Sequence, residues 1–277
     1  MTRTAEVAPA PAQVVLLGDA PTRRESIRSF WALTWTLSRK NFQVRYKRAV
    51  LGIVWAVAQP AFQAVVLSVI FIKVFHAGNG VPHFPLFVLT GILPWTLFAQ
   101  SLSIGTVSVV ENGPLVKKVA LPSVVFPLSA VGGSALAFAM ALPVLLVGGL
   151  VVGGIGWRIV LLPVAVVLHL LAIAGLPVLT SALYPAFRDM RYLVESSLLV
   201  GLYLTPVLYP PENLPSVARE VLRFNPMTGV IDSYRAAFLD RPLDVAAVGA
   251  SLLVSLVWLA VGLAVFRRRS DEFADLV

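Results

Sequence analysis

Apolar residues come in long uninterrupted runs, with polar residues confined to the junctions between them. Mainly apolar stretches cover about 49–75, 84–110, 121–155, 159–187 and 245–266, and a spanning helix needs about 20 such residues. A shorter run, 193–209 ("LVESSLLVGLYLTPVLY"), has 17 residues. The pattern predicts an all-α integral membrane protein with six transmembrane helices. The third run exceeds one bilayer thickness, so it projects beyond the membrane or bends at Pro127, Pro143 or its glycines.

Two junctions predict structure of their own. Over 27–43 ("IRSFWALTWTLSRKNFQ"), Ile27, Phe30, Trp31, Trp35 and Phe42 share one helical face, and Arg28, Thr36, Arg39 and Gln43 the opposite one. A Trp-rich apolar face with a basic polar face suits a helix lying in the headgroup boundary. Over 210–243, "YPPENLP" fixes a turn and "SVAREVLRF" follows as a short helix. Asn225 then caps a second helix with Pro226 at its first position. Met227, Val230, Ile231, Tyr234 and Phe238 share a face, which predicts two short amphipathic helices dipping back toward the outer membrane surface.

Composition sharpens this picture. The chain is 58% hydrophobic and 13% charged, with mean hydropathy +0.84; soluble domains average about 45–50% apolar and about 25% charged. The net charge of +8 does not indicate nucleic acid, because the basic residues flank apolar runs and form no solvated domain. With both termini in the cytosol, sixteen of the 22 basic residues fall on the cytosolic side, as the positive-inside rule requires. The expected organisation is a disordered cytosolic tail (1–26), an amphipathic interface helix with a basic entry (27–48), a transmembrane domain (49–266) and a cytosolic tail (267–277). The absence of cysteine excludes disulfides and thiol chemistry.

Enzymatic chemistry finds no place. Glu195 is the only carboxylate and His169 the only histidine within the runs, and neither HExxH nor GxSxG occurs. His169 reads as a polar helix contact rather than a ligand. Glu195 reads as a boundary ion pair near Arg188 and Arg191, with a gating role as the alternative. No G-x-x-x-x-G-K-[ST] is present, so ATP and Mg²⁺, if used, belong to a separate subunit and no cofactor is expected on this chain. Ion-coupled carriage is disfavoured by the lack of repeats and of membrane-embedded charge. Gly149 and Gly153 form a G-x-x-x-G pair, readable as general packing or as a dimer seam. Aromatics near run ends suit interfacial belts. Trp95, Phe98, Tyr203 and Tyr209 are the candidates to face a pathway, where an aromatic plane can stack on the C–H face of a sugar.

One short junction stands out, "VVENGPLVKKVALP" at 109–122. It is amphipathic and basic, and carries Glu111, Asn112, Leu115, Val116, Lys117 and Lys118. Its segment "ENGPLVKKVALP" resembles the first cytosolic loop of the ABC-2 type polysaccharide export permeases, the membrane subunits of O-antigen, teichoic-acid and galactan exporters. Asn112, Leu115, Val116, Lys118, Leu121 and Pro122 match in register. The entry to span one is similar through Arg45, Tyr46, Leu51, Gly52, Trp55 and Pro60; Ala49 stands where the family often has Ser or Thr. Span two is similar through Gly91, Pro94, Trp95 and Phe98, and the external helix through Asn225, Pro226, Tyr234 and Arg235.

The resemblance implies that 111–118 is a coupling helix seated in a groove on a partner ATPase. Asn112 would cap it, and Leu115 and Val116 would enter an apolar cleft. It further implies a homodimeric pore with two copies of a separate ATP-binding subunit, exporting a lipid-linked polysaccharide on a polyprenyl diphosphate. Arg39, Lys40, Arg45, Tyr46, Lys47 and Arg48 would form the basic entrance for the diphosphate, although ordinary anionic lipids fit the same residues. The rival expectations are an ABC-2 exporter of drugs or small amphiphiles, and a non-transporting membrane scaffold.

Overall fold

The structure, a computed structural model, describes residues 23–47, 52–73, 81–118 and 122–276. The expected tail up to residue 22, together with Arg48, Ala49, Leu51 and Leu121, lies outside the described residues. The helices in chain order are α1 (Arg23–Tyr46), α2 (Val54–Lys73), α3 (Phe84–Glu111), α4 (Gly113–Lys118), α5 (Val125–Val151) and α6 (Leu162–Leu183). They continue as α7 (Met190–Leu204), α8 (Ser216–Arg223), α9 (Pro226–Leu239), α10 (Val245–Arg269) and α11 (Phe273–Leu276). No strand occurs among the described residues.

Among the described residues, five segments are long and apolar enough to cross a bilayer: α2, α3, α5, α6 with the 3-10 turn before it, and α10 with the 3-10 turn after it. The expected sixth span is α7, which has only 15 residues. That is a rise of ~22 Å against a hydrocarbon core of about 30 Å. The helix stops because Thr205 turns extended, at φ −91° and ψ 141°, before Pro206.

α3 is the central post. Phe87, Val88 and Ile92 on it are fully buried, and α2, α5, α6, α7 and α9 all pack against it. α6 and α10 form the tightest pair. A Cβ added at Gly175 would lie 2.5 Å from the Leu259 nitrogen, and one at Gly262 would lie 2.6 Å from the Gly175 carbonyl oxygen. Backbone meets backbone there, which only small residues allow.

Of the G-x-x-x-G pair, Gly149 is a buried packing position of α5, as general packing predicts, and Gly153 belongs to the turn that ends the helix. Gly154 N–H bonds to the Gly149 carbonyl at 2.9 Å and Gly153 N–H to that of Leu150 at 3.1 Å, the paired bonds of a Schellman C-cap. Gly153 sits at φ +66°, the left-handed conformation such a cap needs. Gly149 faces Ile155 and the Phe238 carbonyl of its own chain.

The interface helix packs differently from its hydrophobic pattern. Ile27, Trp31 and Trp35 are exposed, and so are Arg39, Lys40 and Gln43 on the polar side. The face that meets α5 is a third, small and polar one with Thr34 and Ser38 buried. Asn41 Nδ2 donates to Ser129 Oγ at 3.2 Å, and Gly132 and Gly133 open the space for Ser38 and Asn41.

The second short helix at 226–239 also departs from expectation. α9 does not lie on the surface with one apolar face. Eleven of its residues, Met227–Ser233 without Asp232 and Tyr234–Phe238, are buried on all sides against α3, α6 and α10. Its first-turn Asn225 caps as expected, with Oδ1 accepting from Met227 N–H at 2.9 Å. α8 stays exposed.

Candidate functional site

α4 sits where α3 and α5 meet at one end of the bundle. The Asn112 side chain does not cap it. Nδ2 donates instead to the Ser108 carbonyl at 2.8 Å, and the Asn112 main-chain carbonyl accepts from Leu115 and Val116 N–H at 2.9 and 3.1 Å. Val116 turns inward, against a cluster formed by Val109, Val178, Ala182, Phe266 and Phe273. Glu111, Leu115 and Lys117 face outward, with Leu115 36% exposed. Of the two apolar residues expected to enter a partner, Leu115 is exposed and Val116 is partly buried against that cluster.

The basic entry separates into two kinds of residue. Arg39, Lys40 and Lys47 are exposed. Arg45 Nη1 instead donates to Gln100 Oε1 on α3, beside a void of about 20 Å³ that Tyr46, Gln100 and Ser134 help to line. Tyr46 packs, tilted, at 5.3 Å on Phe42 of its own helix. Arg45 therefore fastens α1 to the bundle.

The four aromatic candidates also divide. Trp95 and Phe98 pack at 5.2 Å and line a cavity of about 360 Å³ between α3, α6, α7 and α10, together with Thr180, Ser197, Asn225 and Trp258. Gly201 makes room for the Trp95 indole, since a Cβ there would lie 2.9 Å from Cη2. Tyr203 is exposed and Tyr209 donates to its carbonyl at 3.1 Å; neither lines that cavity.

At the opposite end of the bundle from α4, the external-helix candidates are interior pieces. Asn225 Nδ2 donates to Thr205 Oγ1 at 2.8 Å, tying α9 to the end of α7. Tyr234 is fully buried, with its hydroxyl 3.3 Å from His169 Nδ1. Phe138, His169 and Tyr234 contact one another edge-to-face at 5.4–5.7 Å. Arg235 is 3% exposed. It donates to the Val207 carbonyl at 2.9 Å and lies 3.6 Å over the Phe87 ring. Burial pushes its pKa down to about 9, Arg241 adds to that, and Asp232 and Glu212 oppose it. Around it run the ion pairs Arg158–Asp240 (2.9 Å), Arg241–Glu212 (3.0 Å) and Arg223–Asp244 (3.2 Å). Glu195 is paired with Arg191 at 2.9 Å on the exposed face of α7.

Sequence reasoning missed two functional-looking features. The α1–α5 contact rests on small polar residues, which a hydrophobic pattern does not register; the Gly132–Gly133 pair was its only signal. Phe273 is the lone aromatic in the acidic segment "SDEFADLV", and that isolation is its sequence signal.

The architecture has a short helix between two candidate spans, a further helix, α1, before the first, and a buried helix before the last. The family model described as "ABC-2 type transporter" matches residues 32–239. The chain belongs to the ABC-2 type transporter family. That match runs from within α1 to the end of α9, so it includes α4, the Trp95–Phe98 cavity and Arg235. Within the family, the chain is 31% identical over 246 residues to the O-antigen export system permease protein RfbA of Myxococcus xanthus, covering 87% of this chain and 94% of that one. Two proteins of the same name from Klebsiella pneumoniae are each 28% identical over 244 residues, covering 87% of this chain and 93% of theirs. These ABC-2 relatives are the polysaccharide export permeases that the motifs resemble.

Proposed function

We propose that this ABC-2 chain is the permease subunit of an ATP-driven exporter in a bacterial cytoplasmic membrane. In this reading two copies form the pore, two copies of a separate ATPase bind and hydrolyse ATP with Mg²⁺, and both termini are cytosolic. The cargo is a polysaccharide linked to a polyprenyl diphosphate. The observation that carries the reading is α4: Val116 anchors it from behind, and Glu111, Leu115 and Lys117 are presented outward. Support for the cargo comes from the relatives, which are named for O-antigen export.

α7 serves as the sixth crossing, completed by the non-helical chain after it. Irregular backbone is tolerated at membrane depth where protein covers it, and Thr205, Val207 and Leu208 are buried. Arg235 satisfies the Val207 carbonyl in that segment. α1 lies at the cytosolic headgroups with Trp31 and Trp35 toward lipid. Arg39, Lys40 and Lys47 are left free to meet the diphosphate, whereas Arg45 is committed to Gln100. Trp95 and Phe98 supply the aromatic surface of the pathway.

Depletion of the protein in its native cells, followed by extraction and mass spectrometry of lipid-linked glycans, tests the reading. Accumulation of one polyprenyl-diphosphate glycan is the expected result. An unchanged pool, with increased sensitivity to small toxic amphiphiles, overturns it in favour of a drug exporter.

A further inference from the structure

Residues 267–277 were expected to be a cytosolic tail, yet the part described beyond α10 is folded onto the bundle. A 3-10 turn at Ser270–Glu272 reverses the chain, and α11 returns to α4. Phe273 is the only aromatic residue in "SDEFADLV" and is 1% exposed. Its ring stands edge-on to Phe266 at 5.1 Å. The same cluster holds Val109 of α3, Val116 of α4, and Val178 and Ala182 of α6. Arg188 Nη2 donates to the Leu276 carbonyl at 3.2 Å, tying α11 to the corner between α6 and α7. Phe266, the turn, Phe273 and α11 lie beyond residue 239, where the family match ends, and pack on residues inside it.

A six-residue helix has no stability of its own, because helix nucleation is unfavourable and short helices depend on tertiary packing. Over Gly113–Lys117, α4 turns Gly113 and Val116 toward the bundle. Phe273 fills the space on which Val116 rests and joins it to the ends of α3, α6 and α10. Asp271, Glu272 and Asp275 remain exposed around this plug.

We infer that Phe273 is a positioning residue for energy coupling, a plug that fixes α4 to the ends of the spans so that a displacement imposed on α4 reaches them. The inference rests on the reading of α4 as the ATPase-docking helix. Without the plug α4 can still bind a partner, but its motion is absorbed locally. Coupling then weakens while the bundle stays intact.

The chain has no cysteine, so Lys117→Cys with Arg267→Cys places two nitroxide labels on the full-length protein without background. In Phe273→Ala, the distance distribution between them should broaden and the label at 117 should gain mobility. Phe273→Leu should restore both. A control label at Trp157→Cys, at the other end of the bundle, should not change. An unchanged distribution and mobility in Phe273→Ala overturns the inference, and so does an equal change at position 157.

Cells carrying each variant supply the second readout. Phe273→Ala should lower surface glycan several-fold at equal membrane abundance, and Leu115→Asp should abolish it. Normal export by Phe273→Ala beside a defective Leu115→Asp defeats the positioning role alone. Normal export by Leu115→Asp defeats the docking reading, and the label distances still judge the plug. Where Phe273→Ala does not reach the membrane, Phe273→Val carries the same comparison.

Discussion

Replacing Gly175 by alanine tests the packing of the bundle most directly. The added Cβ would lie 2.5 Å from the Leu259 nitrogen and 2.6 Å from the Trp258 carbonyl carbon. Both are backbone atoms of α10, so no side chain can rotate away. Reaching an ordinary contact of ~3.5 Å requires the two helices to part by about 1 Å, which forfeits a quarter to a half of each dispersion contact along the seam. Overpacking of this kind costs about 1–3 kcal/mol. Gly249→Ala is the matched control: it lies in α10, exposed, and its Cβ meets nothing within 4 Å. Alanine there is neutral or gains up to ~1 kcal/mol of helix propensity. The propensity gain is common to both variants, so they should differ by the overpacking cost alone, about 1–3 kcal/mol, roughly five- to 140-fold in the folding equilibrium. Unfolding of the purified protein in mixed micelles by added SDS, followed by circular dichroism, measures the difference. If Gly175→Ala unfolds at the same SDS fraction as Gly249→Ala, the close α6–α10 contact is wrong.

Three other predictions follow from single contacts. Tyr234→Phe removes the partner of His169 Nδ1 in a site 1% exposed; an unsatisfied buried group costs about 1–3 kcal/mol, to be seen as earlier SDS unfolding. Asn225→Ala removes the α9 cap, worth about 0.5–2 kcal/mol, and also the bond to Thr205; Asn225→Ser should recover the cap without the amide that reaches Thr205, and so fall between Asn225→Ala and the unchanged protein in the same titration. Leu115→Asp combined with Lys117→Glu should leave SDS unfolding unchanged, since both side chains face outward, yet abolish surface glycan in cells.

The hydrophobic pattern located five spanning helices to within a few residues, because each buries or exposes apolar surface over its whole length and the period needs no tertiary information. It failed at α7 and α9 for opposite reasons. The run 193–209 reads as one span, but Thr205 and Pro206 end the helix after 15 residues, short of the length a spanning helix needs. The face marked on α9 was real but incomplete. Its small residues, Gly229, Ser233, Ala236 and Ala237, are buried too, and small residues carry no periodic signal.

The site was legible as residues and not as roles. Val116 and Leu115 are adjacent and equally apolar, so sequence assigned both to a partner, and only the cluster behind α4 turned Val116 inward. Arg45 and Arg39 are alike on paper, but Gln100 lies beside one of them alone. Arg235 is marked in sequence only as part of an external-helix motif, while the structure buries it on Phe87. By itself the sequence determined the class, the family and the order of the helices, since these depend on local periodicity and short motifs. Tertiary structure decided which side chains are anchors and which are free, because that depends on neighbours brought from distant parts of the chain: Phe273 against Val116, Gly262 against Gly175, and Val207 against Arg235.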